Sequence, residues 1–314
     1  MPTYAEGARP LLLVNPRAAW LARRPARLDR LRALCQGKAD VVVTQDISAV
    51  GRVASSLAAR WEGRPLAPIL LVGGDGTHMS GVTAFHAEFR GAPPPFALIA
   101  GGTVCTTARV WGSSGRADRD VKRALRATER APMPTIRIAD DHGENLGFIF
   151  GAGLVARFFE VYDERGGGLP VAAKLSAQIF ASALRGSPLA QHVLGRLPLE
   201  LTVDGAVQSE RAYSLVVSCV HETVGMGVRV TYRALEDRER FHVVASAESP
   251  AGLARNFPRS FLGLPLSGKG NVDALAREAI LRFETASSYI IDGDARVTTQ
   301  VRLTTGPTLT RVVF

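Results

Sequence analysis

Two folding patterns in succession predict an α/β chain: a doubly wound parallel sheet over residues 1–132, then an antiparallel, β-sandwich-like lobe over residues 133–314. Three observations carry this. Short apolar runs alternate with helical spacings up to Pro132. Those runs end in glycine or small polar residues, as strands do where they feed a helix. Beyond Pro132 and Pro134 the pattern changes to strands separated by tight-turn signals such as Asp141-His142-Gly143 and Asp204-Gly205.

The first strand is Pro10 to Val14, a continuous apolar run of the kind buried on both faces, and it stops at Asn15-Pro16-Arg17. Leu28, Leu31 and Leu34 repeat at helical spacing within Arg24 to Leu34. A second strand runs from Ala39 to Thr44 and a second helix from Ser48 to Trp61. The third strand, Ile69 to Val72, runs into Gly73-Gly74-Asp75-Gly76-Thr77, followed by a helix to Phe89. Pro95 to Ala100 is the fourth strand and ends in Gly101-Gly102-Thr103, and a basic helix spans Asp120 to Arg130. The second lobe reads as strands at Thr135–Ile138, Leu146–Phe150, Leu199–Val203, Tyr213–Val220, Gly227–Tyr232, Phe241–Ala245 and Leu281–Glu284, with an apolar helix at Val171–Leu184.

Composition narrows the class. A 46% hydrophobic content with 21% charged residues is that of a globular protein with a substantial core. The formal net charge of +9, almost all of it arginine, favours anionic partners such as ATP or an anionic lipid surface. No basic stripe interleaved with aromatics is present, so nucleic acid is not expected as a partner. Cys35, Cys105 and Cys219 are widely spaced in apolar company, which excludes a disulfide framework and fits a reducing cytosol. Met1 to Pro10 lacks a signal-peptide layout, and no run approaches the ~20 apolar residues of a membrane span. The six histidines show no metal spacing, and His78 alone lies near the glycine motif. Oligomeric state is not legible.

The chemistry concentrates at Gly73 to Thr77. Glycine permits positive φ and lets backbone N–H groups approach a bulky anion. Thr77 is the expected cap of a helix whose positive end favours phosphate. Asp75 would repel a phosphate unless it holds Mg²⁺ or takes a proton from an attacking hydroxyl. Asn15, Thr44, Gly73 to Thr77 and Gly101 to Thr103 all fall at the carboxyl ends of predicted parallel strands, where such sheets bind ligands.

Gly73-Gly74-Asp75-Gly76-Thr77 resembles the nucleotide-binding loop of the diacylglycerol kinase catalytic superfamily, which includes bacterial lipid kinases and the ceramide and sphingosine kinases. NAD kinases and phosphofructokinases carry related loops, but the order of an α/β lobe and then a β-rich lobe resembles the lipid kinases over essentially the whole chain. The resemblance implies a nucleotide cleft between a nucleotide-binding lobe and a lipid-binding lobe. ATP would contact Asn15, Arg17, Thr44, Gly73, Gly74, Gly76, Thr77, Gly102 and Thr103. Asp75 and Asp294 are the implied catalytic carboxylates. The Ile291-Asp292-Gly293-Asp294 stretch resembles the family's C-terminal Asp-Gly-Glu, which makes Asp292 and Asp294 the candidate Mg²⁺ ligands. The implied reaction is ATP-dependent phosphorylation of a lipid hydroxyl in the cytoplasm, at the inner face of an anionic membrane to which the enzyme binds peripherally.

Several positions depart from the family pattern. Ala18-Ala19 stand where a glycine is usual, and Val104-Cys105-Thr106 replace a segment that carries Asn-Asp in bacterial diacylglycerol kinases. Arg157 follows Gly151-Ala152-Gly153 where sphingosine kinases place an aspartate. Arg238 replaces the glycine beside Asp237 in a stretch that holds a structural Mg²⁺ in some relatives, leaving a charged turn as the better reading. These departures favour a neutral two-chain lipid, ceramide or diacylglycerol, over a sphingoid base, with a slight tilt to ceramide. A NAD kinase-like phosphotransferase and a non-catalytic lipid- or nucleotide-binding homologue are the alternatives.

Overall fold

The computed structural model describes residues 9–60 and 66–314. Most of Met1 to Pro10, and Trp61 at the end of the predicted second helix, lie outside the described residues. The chain forms two compact units. One comprises residues up to Met133 together with Pro307–Phe314, and the other comprises Pro134–Gly306. The last eight residues therefore belong with the first unit, which corrects their assignment to a lobe spanning 133–314.

In the first unit, β1 (Leu11–Val14) leads through α1 (Ala19–Ala22) and α2 (Ala26–Cys35) to β2 (Asp40–Val43). Then follow α3 (Ile47–Ala58), β3 (Ile69–Gly73), α4 (Asp75–Glu88), β4 (Phe96–Ala100), α5 (Thr106–Val110), α6 (Ala117–Ala124) and β5 (Arg130–Met133). Strands β1 to β4 are parallel in the order β2-β1-β3-β4, so the order reverses between β1 and β3. The strands are apolar throughout because both faces are covered. Leu12, Val14, Leu70, Val72, Ala97 and Ile99 face a core closed by Leu21, Leu31, Val121 and Ala124 from α1, α2 and α6. On the other face Gly81 of α4 lies against Leu71, where a Cβ would stand 2.6 Å from the leucine. The predicted helix through Arg130 is shorter than expected, because Arg130–Met133 is drawn into the sheet.

The second unit starts with the hairpin β6 (Ile136–Asp140) and β7 (Gly143–Gly147), followed by β8 (Ile149–Gly153). Helices α7 (Leu154–Glu164), α8 (Leu169–Ala183) and α9 (Pro188–Leu194) come next. They pack around Leu175, Ile179, Val193 and Leu194, so the apolar stretch predicted at Val171–Leu184 is in large part a core helix. The chain continues through β9 (Leu197–Val203), β10 (Ala206–Val207), β11 (Ala212–Tyr213), β12 (Leu215–Cys219), β13 (Phe241–Ser246), α10 (Pro250–Leu262), β14 (Val272–Ala276), β15 (Glu278–Ile291) and β16 (Asp294–Thr305). The sheet is antiparallel, ordered β14-β13-β12-β8-β15-β16-β6-β7, with β9 on β15. Asp204 and Gly205, at φ 46° and 80°, form the expected tight turn between the paired Val203 and Ala206. The strand predicted at Gly227–Tyr232 is absent. That segment is a series of turns, with Gly225, Met226 and Gly227 all at positive φ. Last, β17 (Leu309–Val312) returns to the first unit and pairs with β4 and β5.

The three cysteines are free and buried. Among the described residues, no helix is long and apolar enough to cross a membrane.

Candidate functional site

Three loops meet at the carboxyl ends of β1, β3 and β4. Asn15 follows β1, and its amide donates from Nδ2 to Thr77 Oγ1 at 2.9 Å, while its Oδ1 accepts from the Arg17 amide at 2.9 Å. Arg17 itself is exposed. Helix α4 opens at Asp75 with Gly74 as its cap, two residues earlier than the Thr77 start the sequence suggests. Thr77 is thus not the cap. It sits in the first turn and folds back over Gly73, where a Cβ would lie 2.5 Å from the threonine. Only glycine fits at position 73. The helix start leaves its first N–H groups without carbonyl partners in the helix, beside the turn.

The third loop docks on the second through backbone contacts. The amides of Gly101 and Gly102 donate to Gly73 O at 2.7 and 3.0 Å. A Cβ on Gly102 would stand 2.7 Å from Gly74 Cα and 3.1 Å from Cys105 Sγ. Cys105, at φ 50°, stands at the N-cap position of α5 and makes no side-chain capping bond. Its thiol accepts from the Gly102 amide at 3.0 Å, and burial pushes it up to about 11. Thr103 is half-buried at the lip of this loop. Trp20 N donates to Gly101 O at 2.9 Å, which fastens the start of α1 to the same turn.

Asp75 is the one carboxylate in the cradle. Its oxygens accept from the Thr106 and Thr107 amides at 3.1 and 3.3 Å, the N-terminal turn of α5. It is half-buried. Burial raises its pKa, while the two amides and the charge of Arg109 lower it, and the balance stands at about 6. A carboxylate poised there is mostly ionised at neutral pH yet basic enough to take a proton.

Sequence reasoning did not find Thr106, Thr107 or Arg109. Backbone amides carry no residue signature, and a lone arginine in a helix is unremarkable. It also missed Asp120, which is fully buried and accepts from Ser113 Oγ at 2.8 Å, while Ser113 Oγ accepts from Ala100 N at 2.9 Å. That chain of bonds fixes the end of β4. Thr44 is buried and its hydroxyl donates back to Val14 O at 3.3 Å, which fastens the end of β2 to β1. His78 is fully buried with Nε2 3.2 Å from Ile99 O, which makes it a core residue.

The second unit holds the other two predicted carboxylates. Asp292 and Gly293, at φ 47° and 87°, form the turn between the paired Ile291 and Asp294. The Asp292 carboxylate is 2% exposed and accepts from the Phe148 and Ile149 amides at 2.9 and 3.0 Å. It ties the β15–β16 turn to the start of β8. Asp294 is half-buried, and burial raises its pKa against the pull of Arg296. Among the described residues no group of three or more His, Cys, Asp or Glu side chains could hold a metal ion by itself. Mg²⁺ is commonly held through one or two carboxylates plus substrate phosphates. Asp294 fits that pattern. Asp292 is the less accessible of the two, 2% exposed with each oxygen already accepting an amide. At the Asp237 turn, Asp237 accepts from the Glu239 amide at 2.9 Å and pairs with Arg240 at 3.2 Å.

Comparison with known proteins agrees with this geometry. Residues 9–137 match the diacylglycerol kinase catalytic domain. The match contains all three loops of the cradle. A diacylglycerol kinase from Bacillus anthracis str. Sterne aligns with a TM-score of 0.64 at 16% identity, over 99% of this chain and 98% of that one. Two further structures from the same organism, described as candidate diacylglycerol kinases, align with TM-scores of 0.69 at 17% identity. They cover 99% of this chain and 97% and 99% of theirs. The fold is therefore that of diacylglycerol kinase-like proteins. No curated protein matches the chain.

Proposed function

We propose that the protein is an ATP-dependent lipid kinase acting on the primary hydroxyl of a neutral two-chain lipid, ceramide or diacylglycerol, at a membrane surface. The observation that carries this reading is Asp75: a half-buried carboxylate inside a glycine-lined turn, at the start of a helix whose free amides suit a phosphate group. Asp75 accepts the proton of the attacking hydroxyl. The amides of α5 hold its oxygens in place and keep a share of its negative charge stabilised. The first turn of α4 and the Gly101–Thr103 loop bind the phosphates, with Arg17 adding positive charge at the rim. Catalysis in this class is mostly positioning and neutralisation of phosphate charge. A Mg²⁺ ion, when bound with the nucleotide, would supply the latter, with Asp294 as its protein ligand.

The family resemblance assigns the lipid to the second unit. Arg157 bears on the choice of headgroup. It is half-buried and donates from its guanidinium to Gly195 O at 2.7 Å. A fixed cation there disfavours the ammonium of a sphingoid base.

The hydrogen bonds of Asp75 also suit a second reading, a non-catalytic nucleotide-binding homologue in which the carboxylate only caps α5. One experiment separates these readings and a NAD kinase-like activity. The purified protein is incubated with labelled ATP and Mg²⁺ and, in competition, diacylglycerol, ceramide, sphingosine and NAD. Label in a two-chain lipid supports the proposal. Label only in NAD, or none in any acceptor despite nucleotide binding, refutes it.

A further inference from the structure

The second unit carries a patch that its core does not explain. Met226, Phe261, Leu262 and Leu264 are exposed by 39%, 40%, 67% and 41%. They come from two segments joined by the bond from Arg229 N to Ser260 O at 2.7 Å. One segment is the Gly225–Gly227 turn and the other is the end of α10 with its left-handed cap at Gly263. The patch is rigidly seated. Phe261 packs edge-on to Phe257 with centroids 4.9 Å apart, and Phe257 stacks on Phe180 of α8 at 3.8 Å. A solvent-facing helix end has no folding reason to present such side chains together.

Charge accompanies the apolar surface. From Pro250 to Gly270 the chain carries Arg255, Arg259 and Lys269 and no acidic residue. Arg255 and Lys269 are exposed; Glu248 and Glu210 lie against Gly268 and Gly270 on either side of Lys269, so the positive charge rests mainly on Arg255 and Arg259. Arg259 donates to Pro265 O at 2.8 Å, a bond to a neutral carbonyl that leaves its charge uncompensated. Protruding leucine and phenylalanine side chains on a helix end that also carries Arg255 and Arg259 match the interfacial layer of an anionic bilayer. The apolar groups enter the acyl boundary and the cations meet the headgroups. A second copy of the chain fits less well, since it would bring like charge against like charge.

We propose that the Gly225–Gly227 turn and the end of α10 through Leu264 form the face by which this protein docks on anionic membranes. The choice of a membrane as occupant rests on the lipid-kinase reading, and the test keeps the two apart because vesicle binding needs no turnover.

The full-length protein is floated with phosphatidylcholine vesicles, with and without phosphatidylglycerol. Turnover of a short-chain diacylglycerol and of a short-chain ceramide, both water-dispersed, is measured in parallel. Wild type floats with the anionic vesicles only. The pair Leu262→Ser and Leu264→Ser lowers partitioning ~10-fold or more, because buried apolar contact is lost. The pair Arg255→Gln and Arg259→Gln lowers it about fivefold per charge and weakens its salt dependence. Turnover of the short-chain lipids is unchanged in both pairs. Should the leucine pair fail to fold, Leu262→Ser alone, at the most exposed position, carries the test. Flotation of the leucine variants equal to wild type overturns the proposal. So does sedimentation showing that they abolish a dimer while vesicle binding persists. Absence of turnover with intact, leucine-dependent flotation refutes the kinase reading alone.

Discussion

Replacing Asp75 by asparagine separates its chemical task from its structural one. The carboxylate accepts from the Thr106 and Thr107 amides and titrates at about 6 in the folded protein. An unfolded chain releases that proton near ~3.9. Here the folded pKa is the higher one, so the native state holds the proton more tightly. The stability this gives is fully present below pH ~4 and is lost as pH rises through about 6. Two pKa units correspond to roughly 3 kcal/mol. Asparagine removes this titration, but its NH₂ group faces one of the two amides and leaves a donor unmatched, at a cost of ~1–3 kcal/mol. The variant is therefore expected to match wild type within ~1–2 kcal/mol at neutral pH and to be clearly less stable near pH ~4. Urea unfolding at the two pH values measures this. Phosphoryl transfer falls ~10²–10⁴-fold at neutral pH, as for loss of a general base. In wild type, kcat/KM declines on the acid side with a midpoint near 6, and the residual activity of the variant lacks that limb. The reasoning is refuted if the folded variant turns over at a near wild-type rate. It is equally refuted if the acid limb survives the substitution, since the limb would then belong to the nucleotide.

Gly102→Ala places a Cβ 2.7 Å from Gly74 Cα and should spread the two glycine loops, lowering nucleotide affinity by calorimetry and stability by ~1–3 kcal/mol. Asp292→Ala orphans the Phe148 and Ile149 amides and should destabilise the protein by ~2–5 kcal/mol in urea. Asp294→Asn should leave stability near wild type while raising the Mg²⁺ concentration needed for half-maximal activity. Equal effects of these two substitutions on unfolding would contradict the division of roles. Arg157→Asp should shift a competition assay toward sphingosine by ~10-fold or more relative to ceramide, because like charge in the headgroup region is replaced by opposite charge. Dominance of sphingosine phosphate already in wild type would remove the basis for that expectation.

The loops at the sheet's edge were legible because steric demand leaves a residue signature. Gly73 must admit Thr77 and Gly102 must admit Gly74, and no other residue fits either position. The parallel sheet was legible for a similar reason, since strands covered on both faces are apolar at every position. What surrounds Asp75 was not readable, because its partners are amides whose identity is indifferent. Gly227–Tyr232 has the β-branched composition of a strand, yet it is held as turns by positive φ at three successive residues and by the bond from Arg229 to Ser260. Tertiary anchoring overrode local propensity there. The boundary of α6 was misplaced for another non-local reason: Arg130–Met133 pairs with β17, a strand remote in sequence.

That last strand constrains how the protein is made. Leu309–Val312 lies between Phe96–Ala100 and Arg130–Met133, so the first sheet closes only with residues synthesised after the whole second unit. During translation the N-terminal strands emerge early, with the margin of β4 still unpaired, and such margins are templates for aggregation. The second unit, from Pro134 to Gly306, requires no strand from outside itself and can complete its sheet while the first waits. An expression fragment cut at the boundary of the catalytic-domain match would retain every loop of the nucleotide cradle but lack the strand that seals its sheet. Ribosome-tethered chains should accordingly show protease resistance in the C-terminal unit before the N-terminal one, an inversion of the usual order of vectorial folding.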